Sequence, residues 1–162
     1  MLEAERILRA LEENDVEYVL IGAFAATIHG SGLRTEDVDV CPRGTPSNLR
    51  RLALALRVLD AQELDPHKGE FVERTWDETM LAADETWLLG TVAGRLDLVF
   101  MPSGTEGYED LARGAVEFEI GDLRVRVASL EDVIRSKEAA NRPRDREQLA
   151  TLRRLLERSG GQ

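Results

Sequence analysis

Ile21-Gly-Ala-Phe-Ala-Ala-Thr-Ile-His-Gly-Ser-Gly-Leu-Arg-Thr-Glu-Asp-Val-Asp-Val40 reads as a strand end, a glycine turn, a short helix and a second strand carrying two aspartates. On an extended strand, residues two apart share a side, so Asp37 and Asp39 occupy one face while Val38 and Val40 occupy the other. Two carboxylates about 4 Å apart repel by about 4 kcal/mol at an effective dielectric near 20. The pair therefore calls for a proton, an arginine or a metal ion, unless the strand is a surface strand with two solvated aspartates. Mg2+ suits such a pair, because it takes hard oxygen ligands and commonly combines one or two carboxylates with substrate phosphates.

Upstream, Val16 to Ile21 predicts a mostly buried strand that Gly22 breaks before the helical run Ala23 to Ile28. Backbone N–H groups at the start of a helix attract anions, so this turn is a phosphate-binding candidate beside a carboxylate metal site.

Gly22-Ala23, thirteen residues, then Asp37-Val38-Asp39 resembles the signature of the DNA polymerase beta-type nucleotidyltransferase superfamily. The family places Gly or Ser where Ala23 stands. With Ala25, His29-Gly30 and Arg34-Thr35 added, the pattern is similar to small bacterial nucleotidyltransferases grouped with AbiEii-type toxins. The resemblance implies an α/β (α+β) fold with a small mixed β-sheet flanked by helices and a helical C-terminus. It also implies an NTP substrate and two Mg2+ ions on Asp37 and Asp39, with a third carboxylate on the neighbouring strand. Gly94-Arg-Leu-Asp-Leu-Val99 resembles that strand and nominates Asp97, whose alternative partner is a nearby arginine. By the same resemblance Gly22, Ala23, Arg34, Thr35 and Lys137 contact the nucleotide, and Asp97 completes the hydroxyl-side metal and takes the proton. Lys137 to Asp145 resembles a Lys…Arg-x-Lys-Asp element, with Arg144 for the second lysine and Gln148 where a further aspartate is common. His29 is read as structural.

Composition sets the wider bounds. Of 162 residues, 43% are hydrophobic and 32% charged, which describes a globular protein, and the length suits one domain. The resemblance divides it into a sheet core over 1–128 and a C-terminal helical element over 129–162. No apolar run approaches membrane length, so no membrane partner is expected, and the lone Cys41 makes a cytoplasmic setting the default. Cys41 itself reads as a small core residue rather than a reactive thiol.

The net charge is −10, yet Arg135 to Arg158 holds eight Lys/Arg against four Asp/Glu, a local +4 that leaves −14 on the rest. The basic element faces something anionic, or else its arginines pair with the acidic body. An RNA 3′ end meeting Arg142 and Arg144 is the acceptor this favours. Adenylylation of a partner protein of antitoxin type, a cationic small acceptor such as an aminoglycoside, and a nucleotide-binding module without turnover are the alternatives. A cognate toxin or antitoxin partner belongs with the AbiEii resemblance.

The remaining elements follow from periodicity. Helices are expected at Leu2–Glu13, at Ser47–Leu59 behind a Thr45-Pro46 cap, after Gly107, from Ser129, and over Arg144–Glu157 with Leu149, Leu152 and Leu156 inward. Hairpins are expected over Glu85–Met101, turning at Ala93-Gly94, and over Ala115–Ala128, turning at Gly121-Asp122. Leu59 to Val72, with a loop at Asp65–Gly69 that contains His67, carries no clear pattern.

Overall fold

The structure is a computed structural model describing residues 1–160. Its elements run α1 (Ala4–Glu13), β1 (Tyr18–Ile21), α2 (Gly22–Ile28), β2 (Asp37–Pro42), α3 (Pro46–Val58), β3 (Gln62–Leu64), β4 (Phe71–Glu73), α4 (Glu78–Leu81), β5 (Thr86–Thr91), β6 (Gly94–Val99), α5 (Tyr108–Gly114), β7 (Val116–Ile120), β8 (Leu123–Val127), α6 (Leu130–Ala140) and α7 (Pro143–Gly160). All eight strands join one sheet in the order β4-β3-β5-β6-β2-β1-β8-β7. The sheet is mixed: β1–β8 and β2–β6 are parallel, and the other pairs are antiparallel.

The unpatterned stretch after Leu59 supplies the edge strand β4 and its neighbour β3, which pairs β4 on one side and β5 on the other. Three residues per strand are too few for an alternation to show. The first long hairpin turns at Val92-Ala93, one residue earlier than expected, and Gly94 opens β6 with φ +113°. On α7 the buried leucines are Leu149, Leu152 and Leu155, with Leu156 only partly covered.

The alternation of β2 and β6 gives the sheet two different faces. Val38, Val40, Leu96 and Leu98 are fully buried on one face, which α1 packs against with Ile7, Leu8 and Leu11. The other face carries Asp37, Asp39 and Asp97, flanked by α2 and α6. Cys41 is buried, and burial pushes its thiol up to about 12, well away from a thiolate at neutral pH.

Asn48, fully buried at the start of α3, ties that helix to the strand entrance. Its Oδ1 accepts from the Glu17 amide at 2.7 Å, and its Nδ2 donates to the carbonyls of Glu17 at 2.9 Å and Arg43 at 2.7 Å. Asn48→Ala would strand the Glu17 N–H and the Arg43 carbonyl in the interior. By the usual cost of unsatisfied buried groups it should lower the unfolding free energy by about 2–4 kcal/mol. Urea denaturation at a fixed pH measures this; a change below about 0.5 kcal/mol would show that water replaces the amide.

Candidate active site

The parallel register sets Asp39 level with Asp97 and Asp37 level with Arg95. One oxygen from each of Asp37, Asp39 and Asp97 lies within 4.8 Å of the others. On the antiparallel side Asp39 is level with Ile21, so the β1–α2 turn meets the same carboxylates. Gly22 holds φ +71°, and a Cβ there would overlap Asp39 Oδ2. Any other residue would strain the backbone and displace the aspartate.

The electrostatics of the trio follow from this crowding. Burial, then repulsion from Asp37 and Asp97, then a hydrogen bond shared with Asp97, push the Asp39 carboxyl up from 3.8 to about 8. Asp97 is also raised, mainly by burial, although Arg95 pulls it the other way. The guanidinium of Arg95 donates from Nη2 to Asp97 Oδ1 at 3.0 Å. Asp97 therefore has both of the partners considered for it, the carboxylate cluster and an arginine. Three hard oxygen donors that repel each other in a half-buried site fit a divalent cation such as Mg2+ in charge and in ligand type.

These carboxylates form the floor of a cleft of about 450 Å³, also lined by Gly22 and Ala23. From α6 and the start of α7, Lys137, Arg142 and Arg144 line another part of it. Lys137 continues the apolar stripe of Leu130, Val133 and Ile134 and is itself buried. Its Nζ donates to Gln148 Oε1 at 2.7 Å and lies 3.6 Å from Asp145 Oδ1. Asp145, with a side chain only 1% exposed, also accepts from Arg142 Nε at 2.7 Å and from the Arg142 backbone N–H at 3.1 Å. Burial lowers the Lys137 pKa, and Asp145 opposes that shift. Arg144 is exposed and has no hydrogen-bond or ion-pair partner among the described residues.

Two nucleotide candidates stand elsewhere. Thr35 Oγ1 donates to the Asp37 carbonyl at 2.7 Å and shapes the entry to β2, while Arg34 is exposed. Neither lines the cleft. His29 Nε2 lies 2.8 Å from the Ala128 carbonyl, with its ring edge-on to Phe118, as a packing residue does. Sequence alone gives Arg95, Asp145 and Gln148 no site role, although Asp145 ends the Lys137 to Asp145 segment and Gln148 stands three residues beyond it, where a further aspartate is common. The basic element is partly neutralised within the chain: Arg135 pairs with Asp110 and Asp132, and Arg153 with Glu138.

No protein-family model and no curated protein matches the sequence. Among solved structures the chain is similar to the lincosamide antibiotic adenylyltransferase LnuA with lincomycin bound, at 14% identity and TM-score 0.62 over 95% of this chain and 98% of that one. It is similar to the antibiotic-resistance factor ANT(2'')-Ia in solution, at 17% identity and TM-score 0.59 over 97% of this chain and 82% of that one. ANT(2'')-Ia in complex with adenylyl-2''-tobramycin aligns at 17% identity and TM-score 0.57 over 91% and 84% of the two chains. The chain thus has the nucleotidyltransferase fold.

The raised Asp39 carboxyl makes stability depend on pH. Between its ordinary value of 3.8 and about 8, the folded chain keeps a proton that the unfolded chain releases, so this group's contribution falls as pH rises through that window. In EDTA, Asp39→Asn should match the parent near pH 4 and exceed its melting temperature at pH 8 to 9, while Mg2+ should stabilise the parent more at pH 8 than at pH 5. Parallel melting curves for the two proteins across this range are the check.

Proposed function

We propose that this chain is a metal-dependent nucleotidyltransferase that moves a nucleoside monophosphate from an NTP to a hydroxyl and releases pyrophosphate. The observation that carries the reading is the set of three carboxylates within 4.8 Å of one another, in a cleft also lined by three cations, on this fold.

Asp37 and Asp39 would hold divalent ions, and Asp97 would complete the site on the acceptor side. Bound Mg2+ supplies charge neutralisation on the triphosphate and a lowered pKa for the acceptor hydroxyl. Asp97 would take the hydroxyl proton as the acceptor oxygen attacks the α-phosphorus and the bond to pyrophosphate breaks. Gly22 and the Ala23 amide line the turn where phosphate oxygens would rest, and Lys137 and Arg142, which line the same cleft, would balance the departing pyrophosphate. Arg34 and Thr35 keep a nucleotide role only if the bound substrate extends beyond the cleft.

For the acceptor, an RNA 3′ end is supported by Arg144, a cleft-lining cation with no partner among the described residues, and by the resemblance of Lys137 to Asp145 to the element of AbiEii-type enzymes. A small hydroxylated molecule is supported by a different observation: of the structures similar in fold, ANT(2'')-Ia is in complex with adenylyl-2''-tobramycin and LnuA is lincomycin-bound. Labelled NTPs with Mg2+ should be offered in turn to cellular RNA, to lysate protein and to aminoglycosides and lincosamides. Label on RNA supports the first reading. Label on antibiotic moves the assignment to the second, and a labelled protein band moves it to a protein-modifying enzyme of antitoxin type.

Asp37→Asn, Asp39→Asn and Asp97→Asn should each abolish nearly all transfer while the circular dichroism spectrum stays that of the parent. Unfolding of all three would make the carboxylates structural. Lys137→Ala should weaken NTP use by about 1.5–3 kcal/mol, the usual worth of a hydrogen bond to a charged group, read as kcat/KM for the NTP. If RNA is the acceptor, charge reversal at Arg142 and Arg144 should flatten the fall of RNA affinity with salt, each lost phosphate contact reducing the log–log slope by about 0.7.

A further inference from the structure

Arg95 lies two residues before Asp97 on β6 and level with Asp37 on β2, so its side chain rises on the carboxylate face of the sheet. Its guanidinium is held at two points along one edge. Nη2 donates to Asp97 Oδ1 at 3.0 Å, and Nε donates to the Leu89 carbonyl on β5 at 3.1 Å. The main-chain bond to β5 distinguishes this from an ordinary surface ion pair, in which both side chains are free to wander. Here the fork is anchored to the sheet, and the carboxylate is anchored to the fork. Arg95 itself is outside the cleft lining, with a side chain 34% exposed against 13% for Asp97.

We infer that Arg95 is a positioning residue for the metal site: it pins Oδ1 of Asp97 and thereby presents that carboxylate to a cation shared with Asp37 and Asp39. The inference rests on the divalent-cation reading of the trio. Charge alone predicts the opposite effect, since a cationic neighbour repels an incoming cation. Orientation should win because the Arg95 charge is already balanced by Asp97, whereas a freed carboxylate would lose its fixed torsion. Partners that orient a ligand in this way are typically worth about 10–100-fold in metal affinity.

Two substitutions separate charge from geometry. Arg95→Met removes both, while Arg95→Lys keeps the charge and loses the planar fork that spans Asp97 and the Leu89 carbonyl. The readout is Mg2+ and Mn2+ affinity of the full chain by calorimetry, with metal-free melting curves alongside. Both variants should bind about 10–100-fold more weakly while melting near the parent in EDTA. Equal or tighter binding by Arg95→Met together with unchanged binding by Arg95→Lys would overturn the inference and leave Arg95 a charge partner only. If Arg95→Met fails to fold, Arg95→Lys decides alone, because unchanged affinity there excludes a role for the fork. A parent chain that binds neither ion overturns the cation reading itself, and the inference with it.

Discussion

Three carboxylates held within 4.8 Å of one another are an arrangement that no side chain would adopt alone. Their repulsion must be carried by the backbone, and the parallel β2–β6 register does this by placing Asp39 level with Asp97. On the opposite face of the same strands, Val38, Val40, Leu96 and Leu98 are fully buried. A one-residue slip would exchange the faces, putting the aspartates in the core and the valines in the cleft. The hydrophobic face thus fixes the positions of the charged face. Gly22 closes the arrangement from the β1 side, because only a residue without a Cβ leaves room for Asp39.

The same alternation explains why this part of the site is legible in sequence. Asp-Val-Asp-Val and Arg-Leu-Asp-Leu-Val each state their two faces directly, and Gly22 marks the turn where a side chain would intrude. The helices after Thr45 and Ser129 announce themselves by caps, and both hydroxyls do accept from the amide three residues on. What sequence hides is of two kinds. Strands β3 and β4 have three residues each, half-buried or exposed, so no periodicity separates them from loop. Contacts such as Asn48 to Glu17 or Lys137 to Gln148 join residues 31 and 11 positions apart, and their existence depends on how helices dock. Leu155 and Leu156 both fit an inward stripe at helical spacing, and only the tertiary packing of α7 distinguishes them, burying Leu155 and leaving Leu156 partly covered.

The basic C-terminal element also changes meaning once its partners are visible. Read as a local excess of +4, it suggests a surface for an anion. In the fold, Arg135 and Arg153 are paired with acids of the chain, Lys137 and Arg142 are gathered by Asp145, and Arg144 is the cleft-lining cation left without a partner among the described residues. The charge that matters is concentrated at the α6–α7 junction, where Asn141 takes φ +49° and Pro143 opens the next helix.

That junction solves a problem created by the carboxylate floor. Cations in the same cleft as three aspartates would be expected to collapse onto them, closing the space with salt bridges. The fields do interact, since Lys137 lowers the Asp39 pKa and Asp39 raises that of Arg142. Direct pairing is prevented by competition from the α7 side. Asp145 is almost wholly buried, so its attraction for Lys137 and Arg142 is screened less than that of a surface acid. Gln148 adds a short hydrogen bond to Lys137 without adding a second negative charge. With a carboxylate at that position the lysine would be more fully neutralised; with the amide it keeps more of its field for the cleft. The cations and the carboxylates are thus kept apart across one shared space. A ligand that carries both negative charge and bound cations is the kind that satisfies the two sides together.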